Sequence, residues 1–363
     1  MLGFPIRRSA CLLLVVFAAG CEGTTADDHA DADADSSTEA AAEADAGGDD
    51  DALEPEDGTP DVPAGCVFDG DPFDLGVLTE RVTLLASPEF GGRLAGTPGD
   101  ELTRALIEER WRCLGLEPGG DDGTYQQTFV DGAGRTTANV IGILRGTDPS
   151  LADEIIVMGA HHDHFGVVGG ELYPGADDNA SGTVALLAVA QAILQRGTPP
   201  RRTIVFSAWG SEEGAPYFEG SREFVAHPPA GLSIAQVVYV GNFDEIGRYV
   251  AENQVYANGS FPGYPARQIL ESLLPDHPDL NVVLGSQGSL SDNRPFCDVG
   301  IPYIYFYNED PECYHLPCDT ADRIDYPHLG EIAEIMAEII AQLADSPLDL
   351  SAVRDALGCG NEY

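Results

Sequence analysis

Short apolar runs alternate along the chain with amphipathic stretches of helical spacing. Leu75, Leu78, Val82 and Leu85 recur every three to four residues, and this period predicts a helix. On the same reasoning, helices are predicted over residues 74–87, 101–114, 181–194, 221–226, 265–274 and 326–343, and strands over 125–130, 137–144, 154–159, 202–209, 234–240, 280–284 and 303–307. This alternation predicts an α/β fold with a mostly parallel central sheet sandwiched by helices.

Side chains of the kinds that bind metal ions follow four of the predicted strands. They are His161 with Asp163, then Glu212 with Glu213, then Asp244, and finally His315. A further acidic pair, Asp177 and Asp178, precedes the helix that starts near residue 181. Because sites in open α/β sheets form beyond the carboxyl ends of strands, these residues are expected to meet at one edge of the sheet.

The residue types suit a pair of zinc ions, which need mixed nitrogen and oxygen ligands and an open position for water. His161 and His315 offer nitrogen, and the metal-binding oxygens would come from Asp177, Glu213 and Asp244. Glu212 stands beside a ligand and is free to take a proton from the water. Asp163 shares a face with His161 on an extended segment, so we expect it to accept the other imidazole N–H and fix the tautomer.

Eight motifs, in their order, resemble those of the di-zinc aminopeptidases, which include bacterial leucyl aminopeptidase, aminopeptidase S, glutamate carboxypeptidase and, more distantly, glutaminyl cyclase. They are F-G-G-R-L-A-G-T, A-N-V-I-G, G-A-H-H-D-H-F-G, G-A-D-D-N-A-S-G, S-E-E-G, F-D-E-I-G, S-D-N-R-P-F and Y-H-L-P-C-D-T. The resemblance covers about residues 76–345. It implies a zinc-peptidase (phosphorylase/hydrolase-like) architecture and a metallo-aminopeptidase that removes N-terminal residues from peptides.

The resemblance also implies how two zinc ions per chain would be held. His161 and Asp244 would bind one zinc, Glu213 and His315 the other, and Asp177 would bridge both, with a cis peptide bond between Asp177 and Asp178. Glu212 would act as general base and later as acid. The other histidines of this motif, His162 and His164, are interpreted as neighbours of the ligands.

The chain departs from its relatives near Ser291-Asp292-Asn293, where they often have Ser-Asp-His. The tyrosine that some relatives use to stabilise the oxyanion has no counterpart in Gly285-Ser286-Gln287-Gly288. Two alternatives therefore stay open. One is carboxypeptidase or glutaminyl cyclase activity on the same scaffold, with Arg294 as the nearest candidate for a substrate carboxylate. The other is a non-catalytic surface binding protein.

The net charge of −43 argues against nucleic acid and anionic membrane surfaces as partners. All 18 basic residues are arginine. The charge carries no information on the oligomeric state.

The N-terminal 63 residues differ in composition from the remainder. Residues 1–21 combine Arg7 and Arg8 with an apolar run and end in A-A-G-C, the layout of a lipoprotein-type signal peptide with Cys21 as lipid-bearing residue. An ordinary secretory signal is the alternative. Residues 22–63 contain sixteen Asp or Glu and no Lys or Arg, which predicts an acidic disordered tether. The peptidase domain is predicted over 64–363, exported and lipid-anchored to a bacterial membrane facing the periplasm or exterior, or otherwise secreted.

Six cysteines remain outside the signal and the lipid site: Cys66, Cys113, Cys297, Cys313, Cys318 and Cys359. An even number in an exported protein favours disulfides, for which fifteen connectivities exist. Cys313 and Cys318 are the most natural pair by proximity, and metal binding by these two is the alternative.

Overall fold

A mixed β-sheet, buried on both faces, organises the described part of the chain. The computed structural model describes Cys66 and residues 70–214, 216–285 and 291–359. The predicted signal peptide (1–21) and tether (22–63) lie outside the described residues. No helix within the described ranges is long and apolar enough to cross a membrane.

The regular elements follow one another in the predicted alternation of strands and helices. The helices are α1 Leu75–Leu85, α2 Pro98–Cys113, α3 Gly182–Gln195, α4 Glu219–Ala226, α5 Tyr249–Glu252, α6 Pro265–Leu273, α7 Asn293–Asp298, α8 Tyr326–Asp345 and α9 Leu350–Leu357. The strands are β1 Glu117–Pro118, β2 Gln126–Val130, β3 Thr136–Leu144, β4 Ile155–His161, β5 Gly166–Val168, β6 Glu171–Tyr173, β7 Thr203–Trp209, β8 Val237–Phe243, β9 Val255–Asn258, β10 Val282–Leu284 and β11 Tyr303–Tyr307.

The strand order in the main sheet is β1-β3-β7-β4-β8-β11-β9-β10, with β2 paired to β3. The central pairings β7–β4, β4–β8 and β8–β11 are all parallel, as is β9–β10 near one edge. The pairings that involve β3, and the β9–β11 pairing, are antiparallel. The predicted α/β class is confirmed, and the parallel arrangement holds for the strands that carry the site.

Strand β4 shows why the sheet needs helices on both faces. Ile156 and Met158 belong to one apolar core, which also includes residues of α3 and α8. Ile155 and Val157 point the other way, into a second core that includes Phe224 of α4 and Phe296 of α7. Successive side chains of a strand alternate between faces, so a strand that is apolar throughout is buried between two layers.

Three disulfides join the six cysteines in the pairs Cys66–Cys113, Cys297–Cys359 and Cys313–Cys318. The last is the pair expected from proximity in sequence. Its cysteines are five positions apart in the sequence, and His315 lies between them.

Candidate metal centre

The carboxyl ends of β4 and β8 bring the first group of ligand atoms together. His161 is the last residue of β4, and Asp244 directly follows β8. The His161 Nε2 atom lies 3.1 Å from Asp244 Oδ1 and 3.4 Å from Asp178 Oδ1. All three residues are buried. Parallel pairing in register holds these strand ends side by side, as expected from the sequence.

A second group of ligand atoms lies on the other side of Asp178. The His315 Nε2 atom is 3.1 Å from Asp178 Oδ2 and 3.5 Å from Glu213 Oε2. His164 approaches the same carboxylates, with Nδ1 2.9 Å from Glu213 Oε1 and 3.7 Å from Asp178 Oδ2. The two oxygens of Asp178 thus face different groups, which is the arrangement of a bridging carboxylate.

The carboxylate that lies between the two ligand groups is that of Asp178, whereas the sequence-based assignment placed Asp177 there. The Asp177 carboxylate points elsewhere: Oδ1 accepts hydrogen bonds from the backbone N–H of Gly247 at 2.6 Å and from Ser181 Oγ at 3.4 Å. The cis peptide bond is likewise one residue later than expected, between Asp178 and Asn179. Adjacent residues in this turn, Ala176–Ser181, therefore aim their carboxylates in different directions.

The donor set fits two zinc ions. Two ligands bound to one zinc at ~2.0–2.1 Å in tetrahedral geometry lie roughly 3.3 Å apart. The measured separations of 3.1 to 3.5 Å among His161, Asp244, Asp178, His315 and Glu213 agree with that spacing. The chemistry agrees as well, since imidazole nitrogen and carboxylate oxygen are both zinc ligands.

The pKa values of buried groups in the centre reflect closely spaced carboxylates, whose ionised forms a cation would stabilise. Burial raises the pKa of Glu213 well above its ordinary value, and Asp178 and Glu212 raise it further. Burial lowers the pKa of His164 to about 3, so its imidazole is neutral and able to donate a lone pair. Divalent cations would offset the repulsion among the carboxylates and keep them ionised.

Glu212 is the carboxylate of the centre that is not needed as a ligand. It is buried and lines the cavity that opens onto the ligand groups. Burial raises its pKa well above the ordinary value; His161 opposes this rise, whereas Asp244 and Asp292 add to it. A carboxylate with a raised pKa beside a polarised water is suited to accept and return a proton.

Asp163 positions Glu212 and Glu213 through their backbones. This role differs from the one expected from the sequence, which was to fix the His161 tautomer. Its carboxylate accepts the backbone N–H groups of Glu212 at 2.9 Å and Glu213 at 3.3 Å. The His161 Nδ1 atom is 3.8 Å from Asp163 Oδ1, too far for a hydrogen bond, and lies 3.2 Å from the Asp163 backbone carbonyl instead. The carbonyl, and not the carboxylate, therefore sets the His161 tautomer.

Arg93 and Asp319 hold the turn that carries Asp178. The buried guanidinium of Arg93 donates to the carbonyl oxygens of His162, Leu85, Pro174 and Gly175, at 2.7 to 2.9 Å. The Asp319 carboxylate accepts the backbone N–H groups of Asp177 and Asp178. Buried carbonyls and amides are stable only when paired, so these two side chains fix the turn in place.

His162 and His164 have different roles, although the sequence-based interpretation treated both as neighbours of the ligands. His162 Nε2 is 3.0 Å from Asp100 Oδ1, in a buried pair that takes it away from the ligand groups. His164 joins the second ligand group, which the sequence-based interpretation missed. An extended segment would place residues two apart, such as His162 and His164, on one face, but β4 ends at His161, so the strand period does not apply to them.

The cavity beside the ligand groups has a volume of about 610 Å³. Its lining includes Asp178, Glu212, Glu213, Asp244 and His315, together with aromatic and acidic residues further out. The segment in which an oxyanion-binding group was sought, 286–288, lies outside the described residues. The open volume of the cavity therefore lies directly beside the two ligand groups and Glu212, the candidate base.

The short disulfide loop is expected to hold His315 in position for the second metal. Replacing Cys313 and Cys318 together by serine should weaken binding of one zinc by about 10–100-fold, the effect typical of losing support around a metal ligand. The loss of unfolding free energy should be about 2 kcal/mol, because the closed loop is short. Zinc affinity by chelator competition and urea unfolding measure the two effects.

Removal of Cys66–Cys113 provides the contrast, since its cysteines are 47 residues apart. Replacing this pair by serine should cost more unfolding free energy, about 4 kcal/mol, and leave both zinc affinities unchanged. Equal zinc affinities in the Cys313/Cys318 variant and the parent would show that the short loop does not support His315.

Comparison with known proteins finds relatives by sequence and solved structures of similar fold. Aminopeptidase YwaD of Bacillus subtilis is 27% identical over 219 residues, 57% of this chain and 44% of that protein. The structure of the B. subtilis zinc aminopeptidase BSAP superposes with a TM-score of 0.60 at 18% identity, over 78% of this chain and 98% of that one. Porphyromonas gingivalis glutaminyl cyclase gives a TM-score of 0.60 at 19% identity, over 76% and 100% of the two chains.

The chain spans about half the length of the curated relatives it matches. The structural similarities, at under 25% identity, establish the shared fold. The sequence description of one family, peptidase family M28, matches residues 139–340, more than half of the chain, and this match includes every ligand of the candidate centre. The chain therefore belongs to peptidase family M28.

Proposed function

We propose that the protein is a zinc-dependent aminopeptidase that binds two zinc ions and hydrolyses N-terminal residues from peptides. The observation that carries this proposal is the pair of ligand groups that share Asp178 and face one cavity together with Glu212. Membership of a peptidase family and the aminopeptidases among the relatives support the class of enzyme.

The residues of the centre have separate roles in metal binding and in proton transfer. His161, Asp244 and Asp178 would hold one zinc, while Glu213, His315 and Asp178 would hold the other, with His164 as an additional ligand or neighbour of the second. Bound zinc would polarise the substrate carbonyl and lower the pKa of a water molecule. Glu212 accepts the proton of that water and returns it to the departing amine nitrogen, and Asp163 keeps the Glu212 backbone in place.

The cavity favours an aminopeptidase over a carboxypeptidase. A carboxypeptidase needs a cation for the substrate carboxylate, and among the described residues the cavity lining contains no arginine. Arg294, the candidate from the sequence, lies outside the lining and its Nε donates to Asp298 at 2.7 Å. Because the fold is also similar to that of a glutaminyl cyclase, cyclisation of N-terminal glutamine is a second reaction to assay.

Residues 1–21 are the basis for proposing that the protein is exported and carries a lipid on Cys21. Three disulfides support an oxidising compartment, because such bonds are rare in the cytosol.

A panel of aminoacyl anilides tests the proposed function. We expect release of the anilide from substrates with a free α-amine, no release from N-acetylated counterparts, and loss of activity when a chelator removes the metal. Metal analysis should give two zinc ions per chain. Hydrolysis of N-blocked peptides alone would point to a carboxypeptidase, cyclisation of N-terminal glutamine to a cyclase, and a metal-free inactive protein to a binding function.

A further inference from the structure

The outer part of the cavity presents three polar side-chain groups that form no hydrogen bond with another described residue. They belong to Glu245, Tyr305 and Asn258, all of which line the cavity. Tyr305 and Asn258 are each only 3% exposed, yet neither the Tyr305 hydroxyl nor the Asn258 amide hydrogen-bonds to any residue in the described ranges. The Glu245 carboxylate also lacks a hydrogen-bond donor or ion-pair partner there. The three groups therefore line the cavity with hydrogen-bonding capacity that a ligand could use.

Two tyrosines of the cavity lining, Tyr305 and Tyr307, stack on each other, and Tyr256 extends the stack outside the lining. The rings of Tyr305 and Tyr307 are 5.5 Å apart at an interplanar angle of 21°, and those of Tyr307 and Tyr256 are 5.0 Å apart at 23°. Burial raises the pKa of Tyr305 well above its ordinary value, and nearby Asp244 and Glu245 raise it further, which keeps its hydroxyl protonated. Tyrosine faces attract cations through the ring quadrupole.

The charge that remains in the outer cavity is negative. Asp310 is neutralised, because Arg248 Nε lies 3.2 Å from its Oδ2. Glu309 is exposed and accepts a hydrogen bond from the Tyr307 hydroxyl at 3.0 Å. Glu245 is the carboxylate that combines partial burial with a free acceptor. Glu245 is therefore the outer carboxylate that offers its oxygens to a bound side chain without competition from another described residue.

We propose that this outer cavity selects substrates whose N-terminal side chain is cationic, lysine or arginine, and that Glu245 is the residue that determines the selection. This rests on the proposed aminopeptidase function. The ammonium and guanidinium groups carry donors only, which matches the acceptors of Glu245, Tyr305 and Asn258. A neutral side chain of the same length would leave the Glu245 carboxylate desolvated without a partner.

Matched substrates isolate the contribution of the side-chain charge. We compare the arginine and citrulline anilides, and the lysine and norleucine anilides, because each pair has nearly the same shape and differs in charge. We expect kcat/KM to be about 10–100-fold higher for the cationic member of each pair, the range of a partly buried charge-assisted contact. Preference for citrulline and norleucine, or no preference within about threefold, would overturn the inference and leave the aminopeptidase proposal standing.

The variant Glu245→Gln tests whether Glu245 causes the preference for cationic side chains. It should reduce the arginine-to-citrulline ratio of kcat/KM to within about threefold of unity, while the zinc content stays close to that of the parent. Glu334→Gln, on the exposed side of α8, removes one negative charge elsewhere and should leave the ratio unchanged. A retained preference in Glu245→Gln would overturn the assignment. Absence of turnover with all four anilides in the zinc-loaded parent would reject the proposed function, and this inference with it.

Discussion

Glu212→Gln should lower kcat by roughly 10²–10⁴-fold and leave two zinc ions bound. The expectation follows from the position of Glu212, which lines the cavity at the metal centre without being required by either ligand group. Glutamine has the same shape but cannot accept the proton of the attacking water. Steady-state kinetics on a free-amine anilide and metal analysis of the same preparation measure the two halves of the prediction.

Glu213→Gln is the matched control, because the two glutamates are adjacent and both donate a backbone N–H hydrogen bond to the carboxylate of Asp163. This variant should lose turnover together with zinc, and added zinc should restore part of the turnover. If Glu212→Gln retained parental kcat, Glu212 would have no part in proton transfer. If it lost zinc, Glu212 would be a ligand.

Asp178→Asn should remove most of the bound zinc and lower kcat/KM by at least about 10³-fold. Asp178 is the residue whose two oxygens face both ligand groups, so an amide there leaves each group short of a charged ligand. The change in shape is minimal, and the backbone N–H contacts of the turn with Asp319 do not depend on the Asp178 side chain. Metal content and kinetics report the outcome directly.

Asp177→Asn makes the same substitution one residue earlier and serves as the control. The Asp177 oxygen that accepts the Gly247 N–H would be kept as an amide oxygen, so the turn should survive. We expect two zinc ions and activity within about tenfold of the parent. The opposite pattern, with zinc lost in Asp177→Asn and retained in Asp178→Asn, would restore the assignment made from the sequence and refute that from the geometry.

The sequence was sufficient for the fold class and for the location of the site because both depend on apolar runs. Strands such as Ile155–His161 and Val237–Phe243 are buried along their whole length, so their existence is visible in the sequence, whereas the predicted ends at residues 159 and 240 fall two and three residues short. Strand Val255–Asn258 escaped prediction because it is short and contains polar residues. The hairpin of Gly166–Val168 and Glu171–Tyr173 escaped for the same reason.

Individual ligands were harder to predict than the site itself. Asp177 and Asp178 have the same side chain, and only the path of the turn decides which carboxylate faces the ligand groups. The function of His164 depends on its distance from Glu213, a residue 49 positions away, which no local pattern contains. Glu245 offered no signal, because a lone glutamate beside a ligand is ordinary until its surroundings are known.

The order in which the ligands occur along the chain limits when the protein can acquire metal. The centre draws on residues from His161 to His315, and the last of these lies in a disulfide loop that closes only at Cys318. A nascent chain still under synthesis at residue 300 lacks His315, and the helix Tyr326–Asp345 that covers the core is absent as well. A complete set of ligands therefore exists only once synthesis has passed His315.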